Sequence, residues 1–402
     1  MQNSQAKFKK NSIFNRTFVS LLFVNMAMNM GQYMSNTLIS KYAKFLGGTP
    51  EIIGTVASLF AVTALLFKLI SAPAIDTFNR KYILIGSMSV LGIAFSGFAL
   101  SNSIPTLIIS RLIQGSAMAF TTTCCLALAS DSLPQNKLGS GLGIFSLAQA
   151  ACQAIGPSVG LVLVDNFGFQ FAFTISAVVT FLSAGVTFLI HTEHTPGRHF
   201  KISRSSIIAK EAVTPAILMF FLAMTFSTIG SFLVVYAEEY HIKNIGYYFT
   251  VYALTLLVTR PLIGRLSDNF GTVRVVLPAM FFFASSFIII SFSRTLPMFL
   301  LAAFVAAFGY GACQPAIQAL CMRCVPHEHR GAGSCTSYIG TDCGMLVGPL
   351  ISGSIAASAG YPIMWRFMVV PILFAACFAF FSRHKIDRME GIVHTNTTPA
   401  SQ

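Results

Sequence analysis

Hydrophobic stretches of about twenty residues recur along the whole chain, separated by short breaks that contain polar residues, Gly or Pro. A helix of that length crosses about 30 Å of hydrocarbon. Lipid offers no partner for a free backbone N–H or C=O, and a helix satisfies all of these groups within one segment. With only 10% Asp, Glu, Lys and Arg, the chain cannot cover a soluble surface. The sequence therefore predicts an all-α integral membrane protein.

Dividing the stretches at their breaks predicts twelve transmembrane helices, six on each side of one long polar segment. The predicted helices are 17–39, 52–75, 82–102, 105–128, 138–164, 168–190, 211–236, 245–267, 274–293, 297–320, 332–358 and 361–382. The corresponding organisation is an N-terminal lead-in 1–16, a six-helix bundle 17–190, a linker 191–210, a second six-helix bundle 211–382 and a tail 383–402.

One offset of 192 residues relates many positions in the two halves. The pairs at this offset include Lys68 with Arg260, Asp76 with Asp268, Pro134 with Pro326, and Gly156-Pro157 with Gly348-Pro349. A fixed internal period indicates a repeated structural unit. The sequence thus predicts two pseudo-symmetric copies of one six-helix bundle.

The net charge of +13 follows the predicted membrane topology. Eighteen Lys and Arg residues fall on the side of the chain termini and five on the other side. This asymmetry is the positive-inside bias, and it places both termini in the cytoplasm of a multi-pass protein of the cell membrane, the inner membrane where a cell has two. The basic charge is accounted for by topology and the lipid bilayer, so we expect no nucleic-acid partner.

Predicted helix 1 carries four amides on one face. Asn25, Asn29, Gln32 and Asn36 follow one another at steps of four, three and four residues, which is helical spacing. Amides facing lipid are costly, so this face is expected either to line an aqueous cavity or to join helices by hydrogen bonds.

Similar polar faces recur on predicted helices 5, 8 and 10. Their cavity candidates are Gln149, Gln153, Tyr252, Tyr310 and Gln314. Aromatic and amide groups around a cavity suit an organic substrate of mixed polarity.

Two copies of one motif end predicted helices 2 and 8. They read Ala72-x-x-x-Asp76-x-x-Asn79 and Gly264-x-x-x-Asp268-x-x-Gly271. Both resemble the loop signature of the major facilitator superfamily, Gly-x-x-x-Asp-(Arg/Lys)-x-Gly, from which the first copy departs at Ala72, Thr77 and Asn79 and the second at Asn269. We expect the carboxylates of Asp76 and Asp268 to accept hydrogen bonds from the N-terminus of a neighbouring helix and to take part in gating.

A second motif lies in predicted helix 4. Arg111-x-x-Gln114-Gly115-x-Ala117-x-Ala119 is similar to the Arg-x-x-Gln-Gly-x-Gly-x-Ala signature of the same family. The resemblance implies that Arg111 lines the cavity and takes part in proton coupling. The alternative is an interfacial Arg that snorkels to the headgroups. Gly156-Pro157 resembles the helix-5 motif of the family's antiporters and exporters, and is alternatively an ordinary packing site.

Asp342 lies ten residues, about 15 Å, into predicted helix 11, near the bilayer midplane. The facilitator fold implied by the resemblance packs helix 2 against helix 11, which brings Lys68 to a similar depth. We hypothesise a Lys68–Asp342 ion pair that is released when Asp342 is protonated or when substrate enters. The alternative is a permanent structural pair.

Arg260 is the pseudo-symmetric mate of Lys68, but Ala150 stands where the mate of Asp342 would be. A guanidinium in a cavity is a candidate receptor for an anionic group of the substrate. The alternative is an Arg that donates to backbone carbonyls and amides.

One cluster, Cys321-x-x-Cys324-x-x-His327-x-His329, has the residue types of a metal site. Its spacing is shorter than that of zinc sites, so we predict that no metal binds.

The resemblance covers essentially the whole chain and implies a transporter with two parallel halves that works by alternating access. We predict a secondary active transporter without a cofactor or enzymatic activity. As a monomer, it would export a small organic anion, zwitterion or amphipathic compound in exchange for protons. The alternatives are an importer or facilitator of a small organic acid and a membrane sensor that does not transport.

Overall fold

The computed structural model describes residues 14–134, 138–188, 190, 209–325 and 330–388, and the long elements in these ranges are all α-helices. In chain order they are α1 Arg16–Phe45, α2 Pro50–Thr77, α3 Arg80–Leu100, α4 Ile104–Ser132, α5 Leu138–Phe167, α6 Phe169–Phe188, α7 Val213–Glu239, α8 Tyr247–Phe270, α9 Thr272–Phe292, α10 Leu296–Arg323, α11 Arg330–Ala359, α12 Tyr361–Phe367 and α13 Val369–Phe381. A 3₁₀ turn, Lys210–Ala212, precedes α7. The predicted all-α membrane fold is confirmed.

Ten stretches of the described chain are long and apolar enough to cross a membrane, and the last of them, Tyr361–Phe381, combines α12 and α13. The helix α8 contributes a shorter apolar stretch, Tyr247–Thr259. The 30-residue helix α1 is long enough, but its amides lower its hydropathy. Together these helices account for the twelve predicted passages.

Glycines separate consecutive helices at equivalent places in the two halves. Gly168 lies between α5 and α6 with φ +84°, and Gly360 lies between α11 and α12 with φ +83°. A residue with a β-carbon is strained at such angles, so only glycine turns the chain here without cost. The two glycines are 192 residues apart, which extends the repeat to the connections.

The sequence predicts one continuous last helix, 361–382. In the structure this stretch consists of two helices, α12 and α13, which are separated at Met368. Pro371 has no N–H to donate to the carbonyl of Phe367, four residues earlier. The missing hydrogen bond accounts for the interruption at Met368, after which the helix resumes.

The chain divides into two compact units. The first unit contains the residues up to Tyr42 together with Val62–Ile202, and the second contains Ala43–Ala61 together with the residues from Ser203 onward. The start of α2 thus belongs to the second unit and its remainder to the first. The boundaries predicted at residues 190 and 211 stay a prediction, since most of the linker lies outside the described residues.

Within the first unit, α3 packs against α4 and α6. Tyr42 donates its hydroxyl to the Ser101 carbonyl, and its ring lies 4.7 Å from that of Phe169 and 5.9 Å from that of Phe173. These aromatic contacts fix the end of α1 against the bundle.

The second unit repeats this arrangement with larger rings. Tyr236 donates to the Ser291 carbonyl at 3.0 Å, and its ring lies 6.0 Å from those of Tyr361 and Trp365. Tyr361 and Trp365 stand 192 residues after Phe169 and Phe173. The duplication seen in the sequence is therefore also present in the tertiary contacts.

Small residues bring α7 and α11 together in the second unit. Gly340, Gly344 and Gly348 form a stripe on α11, and a β-carbon at any of them would collide with the backbone of α7. At the end of the stripe, the hydroxyls of Thr228 and Ser352 are hydrogen-bonded at 2.7 Å. Close backbone approach at small residues is typical of membrane helices.

Candidate functional site

A closed ring of polar side chains joins α1 and α4 in the first unit. Arg111 donates from Nη1 to Oε1 of Gln114 at 2.7 Å, and Gln114 donates from Nε2 to Oε1 of Gln32 at 2.9 Å. Gln32 donates to Oδ1 of Asn36 at 3.4 Å, and Arg111 reaches the same oxygen from Nη2 at 3.0 Å. Two of the four predicted amides of α1 thus converge on the predicted arginine.

Arg111 is only 3% exposed, and Gln114 is fully buried. A side chain that snorkels keeps its charged group in water. The low exposure of Arg111 is inconsistent with that alternative. Instead, amide oxygens accept hydrogen bonds from its guanidinium inside the helix bundle. A buried charge in a membrane helix is costly, so Arg111 is a candidate functional residue.

The other two amides of α1 have a structural role. Asn25 donates to the Phe145 carbonyl of α5 at 3.2 Å, and Asn29 donates to both oxygens of Asn25 at 2.8 Å. Both side chains are at most 3% exposed. This is the helix-joining role that the sequence left open for these residues.

Aromatic rings occupy the corresponding region of the second unit. Phe226 of α7 stacks on Tyr310 of α10 with ring centroids 3.9 Å apart and an interplanar angle of 9°. Tyr252 of α8 lies 6.0 Å from the ring of Phe226. Tyr252 and Tyr310 are at most 5% exposed, whereas Phe226 is partly exposed. Two predicted cavity tyrosines therefore meet at a phenylalanine that the sequence did not single out.

Asp342 is 6% exposed on α11. It stands two residues from both Gly340 and Gly344, which face α7, and a step of two residues turns a helix by about 200°. Asp342 therefore projects away from the α7 contact. It belongs to the second unit and Lys68, half-buried on α2, belongs to the first, and the proposed pairing stays a prediction.

The remaining predicted residues are placed as follows. Gln149 is exposed on α5, while Gln153 on α5 and Gln314 on α10 are partly buried. The structure describes the helices that carry Asp76, Arg260 and Asp268 but not these three side chains, so their predicted roles stay predictions.

Half of the predicted Cys/His cluster, His327 and His329, lies outside the described residues. Cys321 is buried and Cys324 is partly buried near the end of α10. The described residues alone contain no group of three metal-ligating side chains. The prediction that no metal binds is therefore not tested by this region.

The beginning of α2 packs against α11 within the second unit. A β-carbon at Gly54 would collide with the Pro349 carbonyl, and one at Gly353 would lie 2.6 Å from the Pro50 carbonyl. Nearby along the chain, Lys44 Nζ lies 3.7 Å from Glu238 Oε2 and donates to the Val235 carbonyl at 3.2 Å. We call these contacts together the clasp; they hold residues 43–61 against α7 and α11.

Two residues of the site were missed by the sequence reasoning. Gln114 stood in the quoted motif one turn after Arg111, and this spacing places both on one helix face, a signal that could have identified it. Phe226 is one of 38 phenylalanines, and nothing in its local sequence distinguishes it. Its position opposite Tyr310 depends on the packing of α7 against α10.

The sequence and the fold both match known proteins. The sequence profile of the Major Facilitator Superfamily matches residues 21–248 and 215–392. The multi-drug resistance efflux pump PmrA homolog of Lactococcus lactis is 24% identical over 78% of this chain and 81% of the relative. Multidrug resistance protein MdtG of Enterobacter lignolyticus is 25% identical over 80% of each chain.

Among solved structures, a POT family transporter in complex with 5-aminolevulinic acid has a TM-score of 0.80 at 12% identity. The match covers 94% of this chain and 98% of that transporter. At this identity the likeness shows the fold alone, and it extends over nearly the whole described chain.

Proposed function

Because the chain belongs to the Major Facilitator Superfamily, we propose that it is a secondary active transporter that exports small organic compounds in exchange for protons. The proposed mechanism is alternating access, in which the substrate site opens first to one side of the membrane and then to the other. The proposed substrates are organic anions, zwitterions or amphipaths that carry an aromatic ring. Both termini are proposed to lie in the cytoplasm.

The observation that carries this proposal is the buried ring around Arg111. Its guanidinium donates to the amide oxygens of Gln114 and Asn36 and is only 3% exposed, so a positive charge is held inside the helix bundle. An anionic group of a substrate would gain a charge-assisted hydrogen bond there, at a depth where water competes weakly. The amides hold the guanidinium in place and so reduce the ordering cost of binding.

The aromatic contacts of the second unit support the proposal that the substrate carries an aromatic ring. Phe226 is partly exposed and is held by Tyr310 at stacking distance. A second aromatic ring packs favourably against such a platform in an offset or edge-on arrangement. The multi-drug resistance efflux pump and the multidrug resistance protein among the relatives support export as the direction of transport.

Asp342 is the proposed proton-coupling group. It is a nearly buried carboxylate on a membrane helix, where an ionisable group is rare and usually functional. Loss or gain of its proton changes the charge at that position, which is what coupling to a proton gradient requires.

The clasp supports alternating access. Residues 43–61 come from the first repeat, yet they pack against α7 and α11 of the second. A transporter must release such a contact to open at this end of the helices. Glycine on both helices, Gly54 on α2 and Gly353 on α11, permits close approach without interlocking side chains, so the contact can form and separate repeatedly.

Transport in proteoliposomes tests this proposal with rhodamine B, an aromatic zwitterion, as the probe. An acidic lumen is expected to drive accumulation of the dye, because protons leave as the dye enters. Asp342→Asn should lose accumulation driven by the pH gradient but keep exchange of labelled for unlabelled dye, which needs no net proton transfer. Asp165→Asn, an exposed carboxylate paired with Lys41, is the matched control and should behave as wild type.

Each contrary outcome has a distinct meaning. Accumulation driven by an alkaline lumen would replace export with proton-coupled import. Binding without accumulation under either gradient would favour a sensor. Normal pH-driven transport by Asp342→Asn would remove Asp342 as the coupling group while leaving the transporter assignment intact.

A further inference from the structure

Two exposed arginines converge on one serine at the end of α9. Arg294 donates from Nη1 to the Ser291 carbonyl at 3.3 Å, and Arg366 of α12 donates from Nε to Ser291 Oγ at 2.9 Å. Ser291 itself is fully buried. A single residue of the second unit therefore accepts hydrogen bonds from both guanidinium groups.

Neighbouring side chains orient both guanidinium groups. Arg294 also donates to the Tyr236 hydroxyl at 2.6 Å and lies 4.1 Å from the ring centroid of Tyr240. Arg366 lies 4.6 Å from the ring centroid of Phe292. Contacts of this kind limit the motion of long side chains, so the two cations are held in position and are not freely solvated.

Most of the N–H groups of these arginines remain available. Arg294 donates its hydrogen bonds from Nη1, and Arg366 donates its hydrogen bond from Nε. Among the described residues, neither forms an ion pair with a carboxylate, whereas Lys41 pairs with Asp165 and Lys44 with Glu238. Both arginines are exposed, so their charge and remaining donors are accessible to a ligand.

The repeat shows that this pair is specific to the second unit. The positions 192 residues before Arg294 and Arg366 are Asn102 and Thr174, which are uncharged. The equivalent region of the first unit therefore forms without arginines. Their presence in the second unit is not required by the scaffold.

Exposed apolar side chains lie beside the two arginines along α9 and α12. Phe292 is 54% exposed, Ile363 49% and Phe367 44%, as suits helices that face acyl chains. A pair of cations next to such a surface matches a phospholipid, whose phosphate adjoins its acyl chains. Arginine forks match phosphate oxygens in geometry, and two positive charges favour a headgroup with net negative charge.

We propose that Arg294 and Arg366 bind the phosphate of an anionic membrane phospholipid whose acyl chains lie along Phe292, Ile363 and Phe367. The site lies at the end of the helices opposite the C-terminal end of α13. It does not include Arg111, Phe226 or Asp342, so it is separate from the proposed transport site.

Thermal unfolding of the delipidated full-length protein in detergent tests this proposal. Phosphatidylglycerol should raise the Tm of wild type by about 2 °C, because a ligand that binds the folded state stabilises it. A diacyl glycolipid without phosphate should raise it less. Arg366→Gln should lose at least half of the phosphatidylglycerol shift, and the double variant with Arg294→Gln should lose nearly all of it.

Each shift is measured against the variant's own lipid-free Tm, so a general loss of stability does not mimic loss of binding. Lys243→Gln, an exposed lysine in the connection between α7 and α8, is the control and should keep the full shift. An undiminished shift in the double variant would overturn the proposal. Equal stabilisation by the glycolipid or by inorganic phosphate alone would overturn the assignment to a phospholipid.

Discussion

In the first unit, α1 and α4 meet through Arg111 and three amides, whereas in the second unit α7 and α10 meet through the stacked rings of Phe226 and Tyr310. The offset of 192 residues relates Arg111 to Ala303 and Tyr310 to Met118. The second unit thus has an apolar alanine in place of Arg111, and the first unit has an apolar methionine in place of Tyr310.

The helices α1 and α7 show the same exchange. Tyr42 and Tyr236 have the same structural role near the ends of these helices and lie 194 residues apart. At this offset Gln32 corresponds to Phe226. The repeat therefore preserves the scaffold contacts, while the interior side chains have diverged from polar in the first unit to aromatic in the second.

The largest expected effect comes from the segment that the second unit takes from the first repeat. In Gly54→Leu the side chain would collide with the backbone of α11, so the clasp could not form. We expect transport to be abolished while dye binding to the purified protein persists. The hydrogen-bonded ring around Arg111 and the stacking of Phe226 on Tyr310 are left unchanged by the substitution. Proteoliposome flux and equilibrium binding measure the two quantities.

Gly86→Leu is the matched control, since a β-carbon at Gly86 meets nothing within 4 Å. It should transport as wild type does. Normal flux in Gly54→Leu would show that the clasp does not have to close during the cycle.

The next effect concerns the charged interior of the first unit. Arg111→Gln removes two charge-assisted hydrogen bonds and the positive charge, and we expect a loss of about 3 kcal/mol, which corresponds to about 100-fold lower transport. Initial rates of dye uptake measure it. Arg16→Gln, at an exposed position where α1 begins, is the control and should have little effect.

If Arg111→Gln transports normally, the ring joins α1 to α4 without binding substrate. The difference between the two interiors would then concern packing alone.

The smallest effect concerns the aromatic interior of the second unit. Phe226→Ala removes the ring that we propose stacks on the substrate, and the Kd of rhodamine should rise about tenfold, or about 1.4 kcal/mol. A transported compound without a ring should be affected much less. Phe374→Ala, at a position 65% exposed on α13, is the control.

A uniform loss for ringed and ringless compounds would mean that Phe226 supports the packing of α7 and does not select substrates. Phe226→Trp, which keeps an aromatic face, should retain most of the affinity for rhodamine.

The sequence predicted some parts of the site well because their signals are local. The spacing of Gln32 and Asn36 placed them on one face of α1, and the motif identified Arg111, but their meeting in one hydrogen-bonded ring depends on how α1 packs against α4. The same spacing did not distinguish Asn25 and Asn29, which bind within α1 and to α5. A helical face shows which side chains point together, but it does not show which neighbour they meet.

By itself the sequence determined that this chain is helical, crosses a membrane many times and contains a duplicated bundle. These properties follow from segment length, apolar composition and a fixed offset, all of which act along the chain. The tertiary structure alone decided the partners of Arg111, the stacking of Phe226 on Tyr310, and the attachment of residues 43–61 to the second unit. Those contacts join helices far apart in sequence, and the rotation and close approach of those helices are set by packing against one another.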